Sequence, residues 1–423
     1  MMNYELKVGN DNGNSEHDII INGDIIQQNN VYAVTNKIPN LEELNKEHFI
    51  RNIHDNLIVT IESKALNNGL PETYFVSNYA MKSGRMLRNI EVGAINSKLN
   101  SNVPITNTVS HIAGYIIKKA FFSDDIHKQL NTKVDMTTAL PVNQYSKANA
   151  KEFSQRYMEH PFYVTVHVPG DQYKVNVEFS YVKTLPEAVP AVFFLQNANK
   201  EQSIVIYKKD LNGVVRPQKL PYIFDLLNNE FQGFYKDKKI VFDNDFFKNK
   251  SILHTAIGEG TTENPKTDDI NFDPNFIEGA NVGVGHAIKE VLNTFITNKH
   301  LLKFSRQDFS NLLKDPSHKY HDEAMELIEI PLIEQAELIF RNTIDEISKA
   351  NNNIDINMVH GGGSILMRNY LQPKLLEFCN SIGSIMLYIP EEYAVILEAL
   401  GLYAFTNSTL FEQLKKNHEK VTA

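Results

Sequence analysis

The spacing of apolar residues predicts a chain that mixes strands and helices. Residues 4–9 and 18–22 are short apolar runs separated by the polar stretch 10–15, which is typical of a β-hairpin. Residues 106–121 place apolar side chains at helical spacing and predict a helix packed on a sheet. The same patterns predict strands at 56–62, 72–77, 133–139, 161–168, 173–181, 251–257, 354–359 and 384–388, and helices at 147–158, 188–197, 282–297, 306–314, 320–349, 364–379 and 391–403.

Strands that enter glycine-rich turns and continue into helices recur along this chain. This arrangement indicates an α/β protein. No repeat with a solenoid period is present. The aromatic-rich stretch 202–246 gives no pattern that assigns it to strands or helices.

Composition sets bounds on the function. At 423 residues and 48.2 kDa, with 42% hydrophobic and 22% charged residues, the chain suits a soluble protein with two cores. Its net charge of −9 argues against a large surface that binds nucleic acid directly. The single cysteine, Cys379, excludes an internal disulfide and reads as a buried apolar residue. We expect a cytoplasmic protein without a signal peptide or a membrane-spanning helix.

Three glycine-bearing turns are candidates for binding phosphate. The first, 10–15, offers backbone N–H groups and the carboxylate of Asp11, which suits a hydrated Mg²⁺. An ordinary hairpin turn explains it better when it is taken alone. The second, 258–262, follows an apolar strand and offers glycines and threonine hydroxyls, and a bulged hairpin loop explains it equally well.

The third turn contains Gly361, Gly362 and Gly363 between a strand and a helix. Each glycine loses backbone entropy on folding, so three in a row are hard to justify by packing. A ligand lying against the helix N-terminus gives a reason for them. Because the segment is neither a GxGxxG nor a Walker pattern, Rossmann and P-loop folds are disfavoured. The neighbouring His360 is interpreted as a packing or capping residue.

Glu187 is the candidate catalytic residue. It lies between Pro186 and Pro190 at the start of a predicted helix, where a carboxylate can orient an attacking water. An acid that only stabilises the helix N-terminus is the commoner case. The residues alone leave both readings open.

The order and spacing of these turns resemble the phosphate-1, phosphate-2 and adenosine motifs of the actin/Hsp70/sugar kinase superfamily. The segments 140–145, 183–191 and 392–403 resemble those of the ParM-type bacterial actins. This resemblance implies an actin-like (ribonuclease H-like) fold with two lobes and a nucleotide cleft between them. Domain I would comprise 1–187 plus 391–423, and domain II 188–390, with an insertion at about 200–250 that shapes filament contacts.

The resemblance also implies roles for individual residues. Asp11 would hold Mg²⁺ through water and take part in catalysis, and Glu187 would activate water. The residues implied to contact the nucleotide, besides Asp11, are Asn12, Gly13, Asn14, Ser15, Gly258, Glu259, Gly260, Thr261, Thr262, Gly283, Gly361, Gly362, Gly363 and Ser364.

One departure concerns the phosphate-2 motif. The family usually has an aspartate two residues before the first glycine, and here that residue is Ala256. Hydrolysis would then be slow or rely on Glu187 and Asp11. His254, Glu259 and Glu263 are alternative sources of the missing group, and strand alternation does not choose among them.

The function that the resemblance implies is a filament-forming ATPase of plasmid partition. It would bind ATP or GTP and then ADP, with Mg²⁺, assemble with itself into a helical filament, and contact plasmid DNA only through a ParR-type adaptor on the plasmid centromere. No contact with a membrane is expected. A small-molecule kinase of the same superfamily and a nucleotide-binding scaffold with little hydrolysis remain as alternatives.

Overall fold

Two compact units make up this chain. The structure, a computed structural model, describes residues 3–90, 97–209, 215–235, 240–302 and 304–422. One unit comprises Met1–Pro190 with Ala399–Ala423, and the other comprises Ala191–Glu398. The identity of these units with actin-like domains I and II stays a prediction.

The N-terminal part of the chain contributes a large sheet and five helices. Its strands are β1 (Asn3–Asn12), β2 (Glu16–Ile21), β3 (Asp24–Asn29), β4 (Tyr32–Thr35), β5 (Ile58–Glu62), β6 (Glu72–Val76), β7 (Gln129–Leu140), β8 (Phe162–Val168) and β9 (Asp171–Pro186). Its helices are α1 (Lys46–Arg51), α2 (Ser77–Lys82), α3 (Ser97–Asn100), α4 (Val103–Phe122) and α5 (Lys147–Met158). The hairpin predicted at the N-terminus is confirmed, whereas the sequence patterns missed β3, β4, α1, α2 and α3.

The nine strands form one sheet in the order β3-β2-β1-β7-β9-β8-β5-β6-β4. Strands β1, β7 and β9 run parallel, and the other pairs are antiparallel. The predicted helix at 106–121 is confirmed as α4, and its apolar residues are buried against the sheet as expected. Its polar residues Thr106, Asn107, Thr108, Ser110 and His111 are fully buried as well.

The remainder of the chain contains a second sheet and most of the helices. Its strands are β10 (Val205–Lys209), β11 (Val215–Lys219), β12 (Ser251–Ile257), β13 (Thr262–Glu263), β14 (Lys266–Asp268), β15 (Asn271–Phe272), β16 (Gly279–Ala280), β17 (Ile356–His360) and β18 (Ile385–Tyr388). Its helices are α6 (Val189–Asn197), α7 (Ile223–Phe231), α8 (Val284–Lys299), α9 (Arg306–Leu313), α10 (His321–Lys349), α11 (Gly362–Ser381), α12 (Glu391–Ala394), α13 (Leu397–Thr406) and α14 (Thr409–Thr422). Strands β12, β17 and β18 are parallel neighbours, so the turns that follow β12 and β17 leave the same edge of the sheet.

The stretch at 200–250 packs within the second unit. It supplies the β10–β11 hairpin, α7 and a cluster of stacked phenylalanines, and the Tyr235 hydroxyl bonds the backbone of Met386 on β18 at 2.8 and 2.9 Å. Residues 210–214 and 236–239 lie outside the described part. That this stretch is an insertion shaping filament contacts stays a prediction.

The prediction of one continuous C-terminal helix over 391–403 is wrong. The structure divides it into α12 and α13, and α14, which the sequence patterns missed, follows. The last residue of α12 also contacts the turn before α11, since the carbonyl of Ala394 accepts the N–H of Gly361 at 2.9 Å. Within α13, Gly401 lies against Pro190 so closely that an added Cβ would come within 1.8 Å of the Pro190 carbonyl oxygen.

Cys379 is buried and unpaired with any other cysteine, as expected, and burial raises the pKa of its thiol to about 12. Among the described residues, no helix combines the length and apolar character that crossing a membrane requires.

A group of histidines lies inside the first unit. His54 Nδ1 is 3.1 Å from His111 Nδ1, His111 Nε2 is 2.9 Å from Ser77 Oγ, and the rings of His17 and His111 are 5.3 Å apart. Burial lowers the pKa of all three imidazoles, that of His111 to about 3, so the folded unit holds them neutral.

This burial predicts loss of stability in mild acid. Between about pH 7 and 5.5 an unfolded histidine takes up a proton, near its ordinary pKa of about 6.5, whereas folded His111 does not. The free energy of unfolding should therefore fall across this window, and His111→Gln should make the fall smaller by about 1 kcal/mol. Urea denaturation at both pH values measures the difference. Equal falls in the two proteins would contradict it.

Candidate functional site

Asp11 lies near the end of β1, where the strand leads into the turn Gly13–Ser15. The first residues of the predicted 10–15 turn therefore belong to the strand. Asn12 is buried, and its Nδ2 lies 3.4 Å from Thr108 Oγ1 on α4. The turn is thus attached to the helix behind it.

Glu187 follows β9 and forms an ion pair with Lys98, which the sequence patterns did not indicate. Lys98 Nζ is 2.9 Å from Glu187 Oε1, and the lysine side chain is only 3% exposed. The Glu187 N–H donates to the carbonyl of Leu140, and the Lys98 N–H donates to Gln144 Oε1. The segment 140–145, which carries part of the ParM resemblance, therefore positions both partners of the pair.

The backbone beside Glu187 is strained. Ala188 has a φ of 78°, a left-handed conformation that is unfavourable for a residue with a Cβ. Such outliers are retained where the surrounding structure imposes them, often at functional sites. The outlier supports a functional role for Glu187 over that of an ordinary acid at a helix N-terminus.

The environment of Asp11 disfavours its negative charge. Burial raises the pKa of Asp11 to about 6, the charge of Lys98 opposes this rise, and Glu187 and Glu16 add to it. A cation beside the carboxylate would relieve this cost. The described residues contain no group of three or more His, Cys, Asp or Glu side chains that could hold a metal ion. That Asp11 holds Mg²⁺ through water stays a prediction.

In the second unit, the turns after β12 and β17 pack against each other through backbone atoms. Gly361 has a φ of +90°, and an added Cβ there would lie 2.5 Å from the Ile257 carbonyl oxygen. A Cβ on Gly363 would lie 2.5 Å from Ile257 Cγ2 and 3.0 Å from the Gly258 oxygen. The expectation that packing could not explain these glycines is therefore wrong for Gly361 and Gly363.

The start of α8 joins the same junction. The Gly285 N–H donates to the Glu259 carbonyl at 2.6 Å. An added Cβ on Gly283 would lie 2.7 Å from that carbonyl oxygen, so glycine is needed here too. The structure thus brings together the predicted segments 258–262 and 361–364 with Gly283. We call this set the glycine junction.

Two helices begin at the glycine junction without a side-chain cap. The N-cap residues are Gly283 for α8 and Gly361 for α11, and neither can supply a capping side chain. The N–H groups of a first helical turn and the helix dipole favour an anion at such a position. At α8 the Gly285 N–H is already bonded to the Glu259 carbonyl, so the start of α11 is the better candidate for an anion. That the junction binds phosphate stays a prediction.

Two of the hydroxyl groups predicted to contact the nucleotide are bonded to the protein. Thr262 Oγ1 donates to the Val282 carbonyl at 3.0 Å, and Ser364 Oγ donates to the Gly361 carbonyl at 2.7 Å. Contact of either hydroxyl with a phosphate, which stays a prediction, would require these bonds to break. The backbone of the junction is the better source of donors.

Two of the three candidates for the missing carboxylate, His254 and Glu259, have buried side chains and contact other side chains. The ring nitrogens of His254 lie 3.3 Å from Thr267 Oγ1 and from His360 Nε2, and burial, with His360, lowers the His254 pKa well below its ordinary value. The Glu259 carboxylate is 3.0 Å from Arg306 Nε and only 6% exposed.

Glu263 is the third candidate. It lies directly opposite Ala256 in the antiparallel pair β12–β13. Residues that oppose each other in this way project to the same face of a sheet. Glu263 is therefore the carboxylate on the face where the family's aspartate would lie.

No sequence pattern identified Lys98 or Arg306 as part of the candidate site. Each is a lone basic residue outside any motif, and its acidic partner is distant along the chain. Their pairing depends on the tertiary fold, which brings α3 to the end of β9 and α9 to the turn after β12.

Comparison with known proteins gives a match in structure only. No family model and no curated protein matches the sequence. Among solved structures, the actin-like protein Alp7A superposes with a TM-score of 0.63 at 14% identity, covering 100% of both chains. The archaeal actin homolog Ta0583 gives 0.57 at 16% identity, covering 96% of this chain and 99% of its own. Bacillus thuringiensis ParM with ATP gives 0.56 at 15% identity, covering 97% and 99%.

These neighbours confirm the fold that the motifs predicted, over nearly the whole length of the chain. At this level of identity they do not by themselves assign an activity. The protein has the α/β actin-like fold that it shares with Alp7A and ParM.

Proposed function

We propose that this protein is a filament-forming, actin-like ATPase of the ParM type that acts in the cytoplasm and segregates plasmid DNA through a DNA-binding adaptor. The observation that carries the proposal is Glu187, held by Lys98 and coupled electrostatically to the partly buried carboxylate of Asp11. It lies in a chain whose fold matches ParM structures solved with ATP and with ADP.

The described residues fit a nucleotide bound with magnesium. In the first unit, the Asp11 carboxylate is in an environment that a cation would improve. In the second, the N-terminus of α11, which has no side-chain cap, would be stabilised by an anion. We propose that both contribute to binding one ATP or GTP, with the first-unit turn and the glycine junction as its phosphate contacts.

The chemistry follows from the side chains of the first unit. When bound, Mg²⁺ would neutralise charge on the phosphates. Asp11 would hold its water shell, and Glu187 would accept a hydrogen bond from the attacking water and orient it toward the terminal phosphate. Lys98 fixes the Glu187 carboxylate in place and contributes positive charge where negative charge develops.

Self-association is the second half of the proposal. A head-to-tail contact that does not close into a ring generates a filament. One ParM neighbour, matched at 15% identity, was solved as a non-polymerisable quadruple mutant. That description indicates that the unmodified neighbour polymerises. The net charge of −9 agrees with an adaptor between this protein and DNA.

A non-hydrolysing scaffold is the second candidate, and Ala256 favours it. Without a carboxylate at that position, catalysis would depend on Asp11 and Glu187, with Glu263 opposite Ala256 as a further acid. A scaffold would assemble with nucleotide and release little phosphate.

Light scattering and phosphate release, followed together after adding ATP and Mg²⁺, test the proposal. We expect scattering to rise and phosphate release to accompany it. A rise in scattering without phosphate release would select the scaffold. Phosphate transfer to a small acceptor without assembly would indicate a kinase.

Asp11→Ala should abolish magnesium-dependent nucleotide binding, because it removes the carboxylate that would hold the metal's water shell. Titration with a fluorescent ATP analogue, with and without Mg²⁺, measures this. Asp225→Ala, at an exposed acid on α7, serves as the control and should bind as the wild type does. Tight, magnesium-dependent binding by Asp11→Ala would show that the first turn is misassigned.

Glu187→Gln should leave nucleotide-triggered assembly intact and slow phosphate release by about a hundredfold or more, the usual contribution of a general base. Filaments should persist longer as a result. Glu337→Gln, at an ion-paired acid on α10, is the matched control and should turn over normally. Turnover unchanged in Glu187→Gln would exclude Glu187 as the residue that orients water.

A further inference from the structure

The N-terminal half of α4 buries polar side chains where a helix packed on a sheet normally buries apolar ones. Asn107 and Thr108 are fully buried, and so is Asn30, in the short connection between β3 and β4. Burying an amide costs free energy unless its donors and acceptors find partners. The hydrogen-bond partners of these side chains show which part of the structure they hold in place.

Asn30 bonds the turn Gly13–Ser15 in two places. Its backbone N–H donates to the Ser15 carbonyl at 2.8 Å, and its Nδ2 donates to the Gly13 carbonyl at 2.6 Å. On its other side, Asn30 Oδ1 accepts from Asn107 Nδ2 on α4 at 2.8 Å. A chain of hydrogen bonds therefore runs from α4 through Asn30 to the turn.

One carbonyl sets the orientation of both amides. The Gly13 oxygen can only accept, so the atom of Asn30 that faces it must be Nδ2. Asn30 Oδ1 then faces Asn107, which must present its own Nδ2. Neither side chain can flip without placing two acceptors against each other.

The carbonyl bonds also orient the N–H groups of the turn. In a planar trans peptide the C=O and the following N–H point in opposite directions. Because the Gly13 carbonyl is drawn inward to Asn30, the Asn14 N–H is turned to the opposite side. The Ser15 carbonyl imposes the same orientation on the Glu16 N–H.

We propose that Asn30 and Asn107 are positioning residues that orient the backbone N–H groups of the first turn toward the terminal phosphates of a nucleoside triphosphate. They act through the turn and do not touch the ligand. This inference rests on the proposed function, because it names what holds one of the phosphate contacts in place.

The test is the affinity of the full chain for a fluorescent ATP analogue with Mg²⁺, measured together with the number of binding sites. Asn30→Ala should raise Kd about tenfold or more while keeping the number of sites per molecule. Asn107→Ala leaves Asn30 bonded to the turn and removes only its support, so it should raise Kd by a smaller factor. If Asn30→Ala does not fold, the Kd of Asn107→Ala tests the inference on its own.

Asn228→Ala is the matched control. Asn228 on α7 also bonds a backbone carbonyl and a backbone N–H, those of Phe242, at 2.9 and 2.8 Å, far along the chain from the phosphate-type turns. Its Kd should stay within about twofold of wild type. A merely structural role for Asn30 and Asn107 would reduce the number of sites and leave Kd unchanged, and that result would overturn the inference.

The same titration separates this inference from the proposed function. Wild-type binding combined with unchanged Kd in both Asn30→Ala and Asn107→Ala would overturn the inference alone. Failure of the wild type to bind the analogue with Mg²⁺ would overturn the proposed function and the inference with it.

Discussion

The unfavourable burial of the Asp11 carboxylate is the constraint on which this account depends. The end of β1 holds an acid where its charge is disfavoured, with Lys98 as a nearby compensating charge that is itself paired with Glu187. A cation beside Asp11 would relieve this cost, and for that reason we propose that this carboxylate holds magnesium through water. In the proposed mechanism, Lys98 and Glu187 would connect the magnesium site to the residue that orients water, through one partly buried ion pair.

In the second unit, the candidate phosphate contacts are backbone atoms of the glycine junction. Its glycine junction brings two uncapped helix N-termini together at the turns that follow two neighbouring parallel strands, β12 and β17. The glycines allow the close approach of the Ile257–Gly258 backbone to α11. Packing and ligand binding are therefore not rival explanations of the glycines, because the close packing creates the uncapped helix ends that favour an anion.

The sequence predicted those elements whose signal is local. The hairpin β1–β2 and helices α4 and α5 follow from apolar spacing, and the order of three glycine-bearing turns was enough to predict the fold. Lys98 and Asn30 could not be predicted, since each acts through a partner distant along the chain. The break between α12 and α13 was missed as well, and it lies where the Ala394 carbonyl accepts a hydrogen bond from the distant Gly361. Buried polar residues on α4 were missed because helical periodicity reports only the apolar ones.

Hydrogen exchange measured by mass spectrometry, with and without ATP and Mg²⁺, tests the central claim most directly, because it observes both units at once. If the first-unit turn and the glycine junction contact one nucleotide, peptides that cover 11–16, 258–262 and 361–364 should all gain protection over the same range of nucleotide concentration. Protection confined to one unit, or gained by the two units at different concentrations, would contradict the account.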